Sequence, residues 1–222
     1  MNIISEYLEN SIKLKSGVIN TLLIENRNLF ISFLKQLHLE MNNEEGKIII
    51  QDDLKELSFK KYSELIIDPF ALDPNNAKNL KKLYERIIEN SSSEEIYEKR
   101  LVFENILKDY LEEIVFSSDY ELIYDSVDYQ SIFKAVNLHI DTETKNLASM
   151  IIDYMRISSD LSGTKLFIFV NLDNFLTDSD LIELQNFICY NNIIVFCLQN
   201  QLKRKLTKNE NLRIIDEDLC EI

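Results

Sequence analysis

Three glycines and two prolines in 222 residues constrain the fold of this chain more than any other feature. Antiparallel sandwiches and barrels turn often and lean on both residue types, so the scarcity argues against an all-β architecture. It also leaves almost nothing from which to build a glycine-rich phosphate loop. Hydrophobic residues make up 45% of the chain and charged residues 28%, an ordinary globular balance with ample material for a core.

The two prolines, Pro69 and Pro74, fall close together and mark a boundary, because proline disrupts both ladders and helices. Before them, Val18 to Ile24, Lys47 to Gln51 and Glu64 to Ile67 read as strands. Leu29, Phe30, Phe33, Leu34 and Leu37 read as one face of a helix capped by Asn26 or Asn28. After them comes an amphipathic helix over 75–90. A second helix, opened by a Ser92–Glu95 capping box, reaches Phe116, with Phe103, Leu107, Tyr110 and Ile114 as a seam. The short connection predicts an antiparallel hairpin of these two, and a third helix covers 128–136. The last third alternates again. It has a helix over 144–158, a buried strand over 165–170, a Thr177–Asp180 cap before Leu181 to Tyr190, a strand over 193–198 and an edge strand over 212–215. This order predicts an α/β head domain, 1–72 and 142–222, interrupted by a helical insertion, 73–141.

The longest apolar run, Ile193 to Leu198, is six residues against the roughly 20 needed to cross a bilayer, and the amino terminus lacks a secretory pattern. Cys189, Cys197 and Cys220 are odd in number and form no CxxC pair. Two lie in apolar segments, which predicts buried, reduced thiols and a cytoplasmic protein without a membrane partner. His38 and His139 are too few for a histidine-rich zinc site.

The junction Ile24-Glu25-Asn26-Arg27-Asn28 has no glycine, no Lys-Ser/Thr pair and an acid where a phosphate would sit. Asp173, ending FIFVNLD, has the place of a metal-binding acid in a nucleotide-binding sheet but reads as a turn or cap residue. No nucleophile–base pair is recognisable, so the chain is read as a non-enzyme. Asp119, Glu121, Asp125 and Asp128 concentrate acid in one stretch, either a solvated loop or oxygen ligands for calcium. Lys78, Lys82 and Arg86 form an i, i+4, i+8 row about 6 Å apart, flanked by Lys81. They form either a solvated face or a track for a nucleic-acid backbone. Lys203, Arg204, Lys205 and Lys208 make a second basic cluster, compatible with a helix end.

The segments VINTLLIENRNLFISFLKQL, KIIIQD, SELIIDPFALDPNNAKNLKKLYERI and LFIFVNLDNFLTDSDLIELQNFICYNNIIVFCLQ together resemble a CRISPR-associated family. It is the short form of Csn-two, the spacer-acquisition accessory factor of subtype II-A systems. The resemblance runs from about Val18 to Leu198. It implies a degenerate P-loop-NTPase-like head with an inserted, extended α-helical leg, and no hydrolytic activity. It further implies ring-shaped homotetramers that need calcium for assembly, thread double-stranded DNA ends through a basic hole, and associate with the CRISPR integrase complex and the effector nuclease of the same system. Matched to the family's first leg helix, Lys78, Lys81, Lys82 and Arg86 are the implied DNA-facing residues. Matched to its calcium-rich hinge, Asp119, Glu121 and Asp125 are the implied metal ligands. A protein-only adaptor and a divergent nucleotide hydrolase are the alternatives.

Overall fold

The structure, a computed structural model, describes residues 1–53, 55–91, 94–142, 146–204 and 210–222. In chain order the strands are β1 (Asn2–Ser5), β2 (Ile12–Lys13), β3 (Ile19–Ile24), β4 (Ile48–Asp52), β5 (Lys55–Leu57), β6 (Ser63–Ile66), β7 (Leu166–Val170), β8 (Ile194–Gln199) and β9 (Glu210–Ile215). The helices are α1 (Arg27–Met41), α2 (Phe59–Tyr62), α3 (Ala77–Asn90), α4 (Glu94–Ser117), α5 (Tyr129–Ala135), α6 (Leu147–Ser162) and α7 (Asp178–Asn191). They divide into two compact units, Met1–Pro74 with Thr142–Ile222, and Asn75–Asp141.

In the first unit a five-stranded parallel sheet runs β6-β7-β8-β3-β9. Every position of β3 and of β7 is buried, which is what a strand covered on both faces requires. Alternate residues of one strand serve opposite cores. Leu166, Ile168 and Val170 join Phe33 and Leu37 of α1, whereas Phe167 and Phe169 join Ile151 and Met155 of α6 and Leu184 and Ile188 of α7. Behind α1 lies a second, antiparallel sheet, β2-β1-β4-β5, contributing Ile3, Ile48 and Ile50 to the same core. The KIIIQ strand thus belongs to a sheet of its own rather than to the parallel one. The other strands of that sheet, β1, β2 and β5, are four residues or fewer and carry too little apolar pattern to be read from the sequence.

The helix ends follow local chemistry. Asn26 caps α1, accepting from the amides of Asn28 and Leu29, both at 3.1 Å. Thr177 and Asp180 form the expected reciprocal box on α7, and hydrogen bonds from Thr177 hold the Asp180 carboxyl below the usual carboxylate range. Helix α6 stops where Gly163 adopts φ 69°, a left-handed conformation that glycine enters without a Cβ penalty. The Ser92–Glu95 box and the expected start at Thr144 involve positions outside the described residues.

In the second unit, Asn76 caps α3 by accepting from the Asn79 amide at 3.0 Å. Tyr84 is buried, donates to the Leu138 carbonyl at 2.7 Å and packs on the Phe133 ring of α5 at 5.5 Å. Asn75 exchanges two hydrogen bonds with the backbone of Ile140, at 2.8 and 2.9 Å, and so ties the two ends of the unit. The seam on α4 is not covered as the hairpin expectation required. Tyr110 stays 60% exposed, Phe103 41% and Ile114 37%, and no described residue of α4 is buried. A seam pattern states which residues share a face, and burial needs a partner as well. Among the cysteines, Cys197 is buried while Cys189 and Cys220 are exposed. The apolar context of Cys189 therefore misled, because its position on α7 faces outward.

The buried Asn20 in β3 clamps the sheet. It accepts from the Lys15 amide and donates to the carbonyls of Lys15 and Val195, each at 2.9 Å. Replacing Asn20 with Ala strands these backbone groups away from water, and we expect a loss of about 3 kcal/mol, read by urea unfolding. A loss under about 1 kcal/mol would mean water takes over the clamp.

Candidate functional site

The β3–α1 junction is where a sheet of this kind binds phosphate, on free amides at a helix start. Here the amides of Asn28 and Leu29 are occupied by the Asn26 side-chain Oδ1, and the Asn26 Nδ2 donates to the Glu217 carbonyl at 3.0 Å. The Glu25 amide is also committed, to the Ile215 carbonyl at 2.9 Å. A neighbouring cavity of about 500 Å³ is lined by Glu25, Glu217 and Lys203 together with Leu23, Asn200 and Gln201. Two carboxylates against one ammonium disfavour a polyphosphate there.

Asp173 sits on the 3₁₀ turn Leu172–Asn174 after β7, as a turn residue should, but it is not solvated. Its side chain is 3% exposed and its Oδ1 accepts from Arg204 Nε at 2.9 Å and from Gln199 Nε2 at 3.1 Å. The other side of the Arg204 guanidinium donates twice to Glu210, at 2.7 and 2.8 Å, and the Thr21 hydroxyl also donates to Glu210 at 2.6 Å. Arg204 therefore leaves the basic cluster in which its sequence neighbours placed it, and no helix ends there among the described residues. Lys203 is exposed, while Lys205 and Lys208 lie outside the described residues. The buried Cys197 thiol is pushed up by burial and by the charges of Asp173 and Glu210, so it stays protonated.

The basic row behaves as helical geometry demands. Lys78, Lys81 and Lys82 are exposed and Arg86 is half-buried, on the side of α3 away from Tyr84 and the Leu80–Leu83–Ile87 stripe. Glu85 and Glu89 share that side. Lys82 Nζ donates to Glu85 Oε2 at 2.7 Å, which holds the Glu85 carboxyl below its ordinary value. The four cations come together as one face, crossed by two carboxylates.

The three acidic candidates do not converge. Asp119, Glu121 and Asp125 are exposed along a segment with neither helix nor strand, and no group of three or more His, Cys, Asp or Glu among the described residues is placed to hold a metal ion. Asp128 is taken up instead as the N-cap of α5, accepting from the Gln130 amide at 3.1 Å, and its hydrogen bond from Ser131 lowers its pKa. Asp125 lines a cavity of about 420 Å³ with Arg100, Glu104, Lys108 and Tyr129. There Tyr129 donates to Glu104 at 2.7 Å, and burial together with that carboxylate pushes the phenol up to about 12. Arg100 lies 5.3 Å from the Tyr129 ring centre and 5.6 Å from that of Tyr97. The i, i+4 spacing of Arg100 and Glu104 is the one sequence signal that points to this cluster.

Residues 40–219 match the family described as CRISPR-associated protein (Cas_Csn2). The chain belongs to this family. A curated relative, CRISPR-associated protein Csn2 of Enterococcus faecalis, is 26% identical over 98 residues, a stretch that covers 44% of this chain and 43% of the relative. The match therefore spans less than half of that relative's length. Among solved structures, a putative ABC transporter (ATP-binding protein) from Pyrococcus furiosus aligns with a TM-score of 0.40 and 9% identity, over 92% of this chain and 88% of the other. No helix among the described residues is long and apolar enough to cross a membrane.

Replacing Asn26 with Ala removes the α1 cap while leaving Glu25 in place. We expect about 1 kcal/mol of destabilisation in chemical unfolding and no gain of ATP binding by calorimetry. ATP binding by the variant would show that the cap alone keeps phosphate out.

Proposed function

We propose that this Csn2-family protein is a non-catalytic factor of CRISPR adaptation. In this reading it binds double-stranded DNA ends, without sequence preference, through the basic central hole of a homotetrameric ring, and works with the integrase complex and effector nuclease of its system. Membership of the family supports the CRISPR role, and the face of α3 that carries exposed Lys78, Lys81 and Lys82 with half-buried Arg86 supports the DNA contact. An arginine and three lysines on one face engage phosphates by position and charge, without reading base edges. The parallel sheet with an amide-blocked phosphate position supports a head that descends from a P-loop NTPase and has lost turnover.

Calcium enters this reading as an ion of the assembled protein. The exposed Asp119, Glu121 and Asp125 supply part of a hard oxygen set, and the remaining ligands would come from outside this cluster. Protein mass in solution with calcium and with chelator tests this part. A tetramer that persists in chelator, with no calcium copurifying, overturns it.

A second reading, a protein-only adaptor, is favoured by one observation, the uncovered apolar face of α4 around Ile106 and Tyr110. One titration distinguishes the two. Linear duplex should bind and covalently closed circular duplex should not, because a ring admits DNA by its end. Changing Lys78, Lys81 and Lys82 to Glu should abolish binding without altering the oligomer. Single substitutions to Ala should each reduce the slope of log affinity against log salt by about one unit per lost contact. Undiminished binding by the triple variant, or equal affinity for circles, would assign the row or the hole wrongly. ATP turnover above background would overturn the non-catalytic part.

A further inference from the structure

The buried cluster of Asp173, Arg204 and Glu210 has no part in DNA binding as proposed above, yet it is the most completely desolvated charge arrangement among the described residues. The side chains are 3%, 5% and 1% exposed. Among the described residues, two carboxylates face one guanidinium in the interior. Asp173 Oδ2, moreover, is buried without a hydrogen-bond partner. Charges removed from water at this depth persist only when compensated, since each uncompensated ion costs several kcal/mol. The surroundings are oxygen-rich: Asp173 Oδ1, both Glu210 oxygens and the Thr21 hydroxyl gather around the guanidinium or its immediate partners. They lie on the face of the sheet that carries Thr21 and Cys197, which are register partners in β3 and β8.

We propose that Arg204 is a built-in cation occupying an oxygen-lined cation site formed by Asp173 and Glu210, and that it keeps this site closed to exogenous metal. Asp173 stands after β7, where a nucleotide-binding sheet holds its metal-binding acid, and Arg204 reaches it from 31 positions along the chain. A guanidinium matches two carboxylates edge-on with fixed donors, whereas a small divalent ion would draw the same oxygens in as hard ligands. Burial pulls the Arg204 pKa down, but its hydrogen bonds to Glu210 and Asp173 raise it by more, so the plug stays charged. A single side chain thus replaces a bound ion and fastens the start of β9 beside β3.

The test is chemical rescue of the full-length protein. Arg204→Ala should melt lower than wild type and recover by about 5 °C in about 10 mM guanidinium, far below denaturing levels, or with Mn²⁺. Mn²⁺ should bind the variant at one ion per chain by electron paramagnetic resonance, beyond any binding by wild type. The response should vanish when Asp173→Asn and Glu210→Gln are added. An Arg204→Ala protein indifferent to both cations overturns the proposal, as does an equal response by wild type. If Arg204→Ala cannot be isolated, the neutral variant Asp173→Asn/Arg204→Met/Glu210→Gln decides. If it folds, the fault lay in uncompensated charge and the proposal stands. If it too fails to fold, Arg204 acts by packing and the proposal falls.

Discussion

The pairing of β3 with β8 is the constraint on which the first unit depends. Ile19 meets Val195 in register, and the buried Asn20 donates to the Val195 carbonyl, a contact spanning 175 positions of chain. Closing so long a loop is entropically costly, although the cost grows only logarithmically with length. That weak dependence explains why a unit of 67 residues, Asn75–Asp141, can be accommodated between two strands that are neighbours in the sheet, β6 and β7. The return is a sheet buried on both faces. Leu22, Ile24, Phe196 and Leu198 serve one core, and Ile19, Val195 and Cys197 serve the other.

What the sequence revealed follows from the range of the interactions involved. Strands β7 and β8 were legible because continuous apolar runs advertise burial on both sides. The Thr177–Asp180 box and the Asn26 cap were legible because a cap is decided within three residues. The amphipathic face of α3 was legible for the same reason. The antiparallel sheet was not, since its strand β5 consists of Lys55, Glu56 and Leu57, with the first two exposed. A pattern of apolar residues cannot report a strand that is mostly polar.

The candidate site divides along the same line. Lys78, Lys81, Lys82 and Arg86 share a face through helical spacing alone, so the row follows from the sequence itself. The fate of Arg204 could not. Local sequence placed it among lysines, whereas the contacts that remove it from them reach Asp173, 31 positions away, and Glu210 at the start of β9. Local charge patterning describes a solvated surface well and a buried ion cluster badly, because burial turns a cation's sequence neighbours into the least relevant of its contacts.

The net charge of −14 conflicts with a nucleic-acid partner only if charge acts as a total. At physiological ionic strength an exposed charge is screened beyond about 8 Å, so a phosphate responds to the few groups nearest it. The insertion, 75–141, is itself acidic, with 8 Lys and Arg against 14 Asp and Glu. Yet four of those eight cations fall between Lys78 and Arg86, spanning about 12 Å of helix by its rise per residue. The carboxylates of α4 and of the segment after it lie elsewhere in the sequence. Within α3, Glu85 and Glu89 temper the row without cancelling it, and Glu85 spends its charge on Lys82. A chain arranged in this way can be anionic in bulk and cationic along one helix face, and the local field is what a DNA backbone meets.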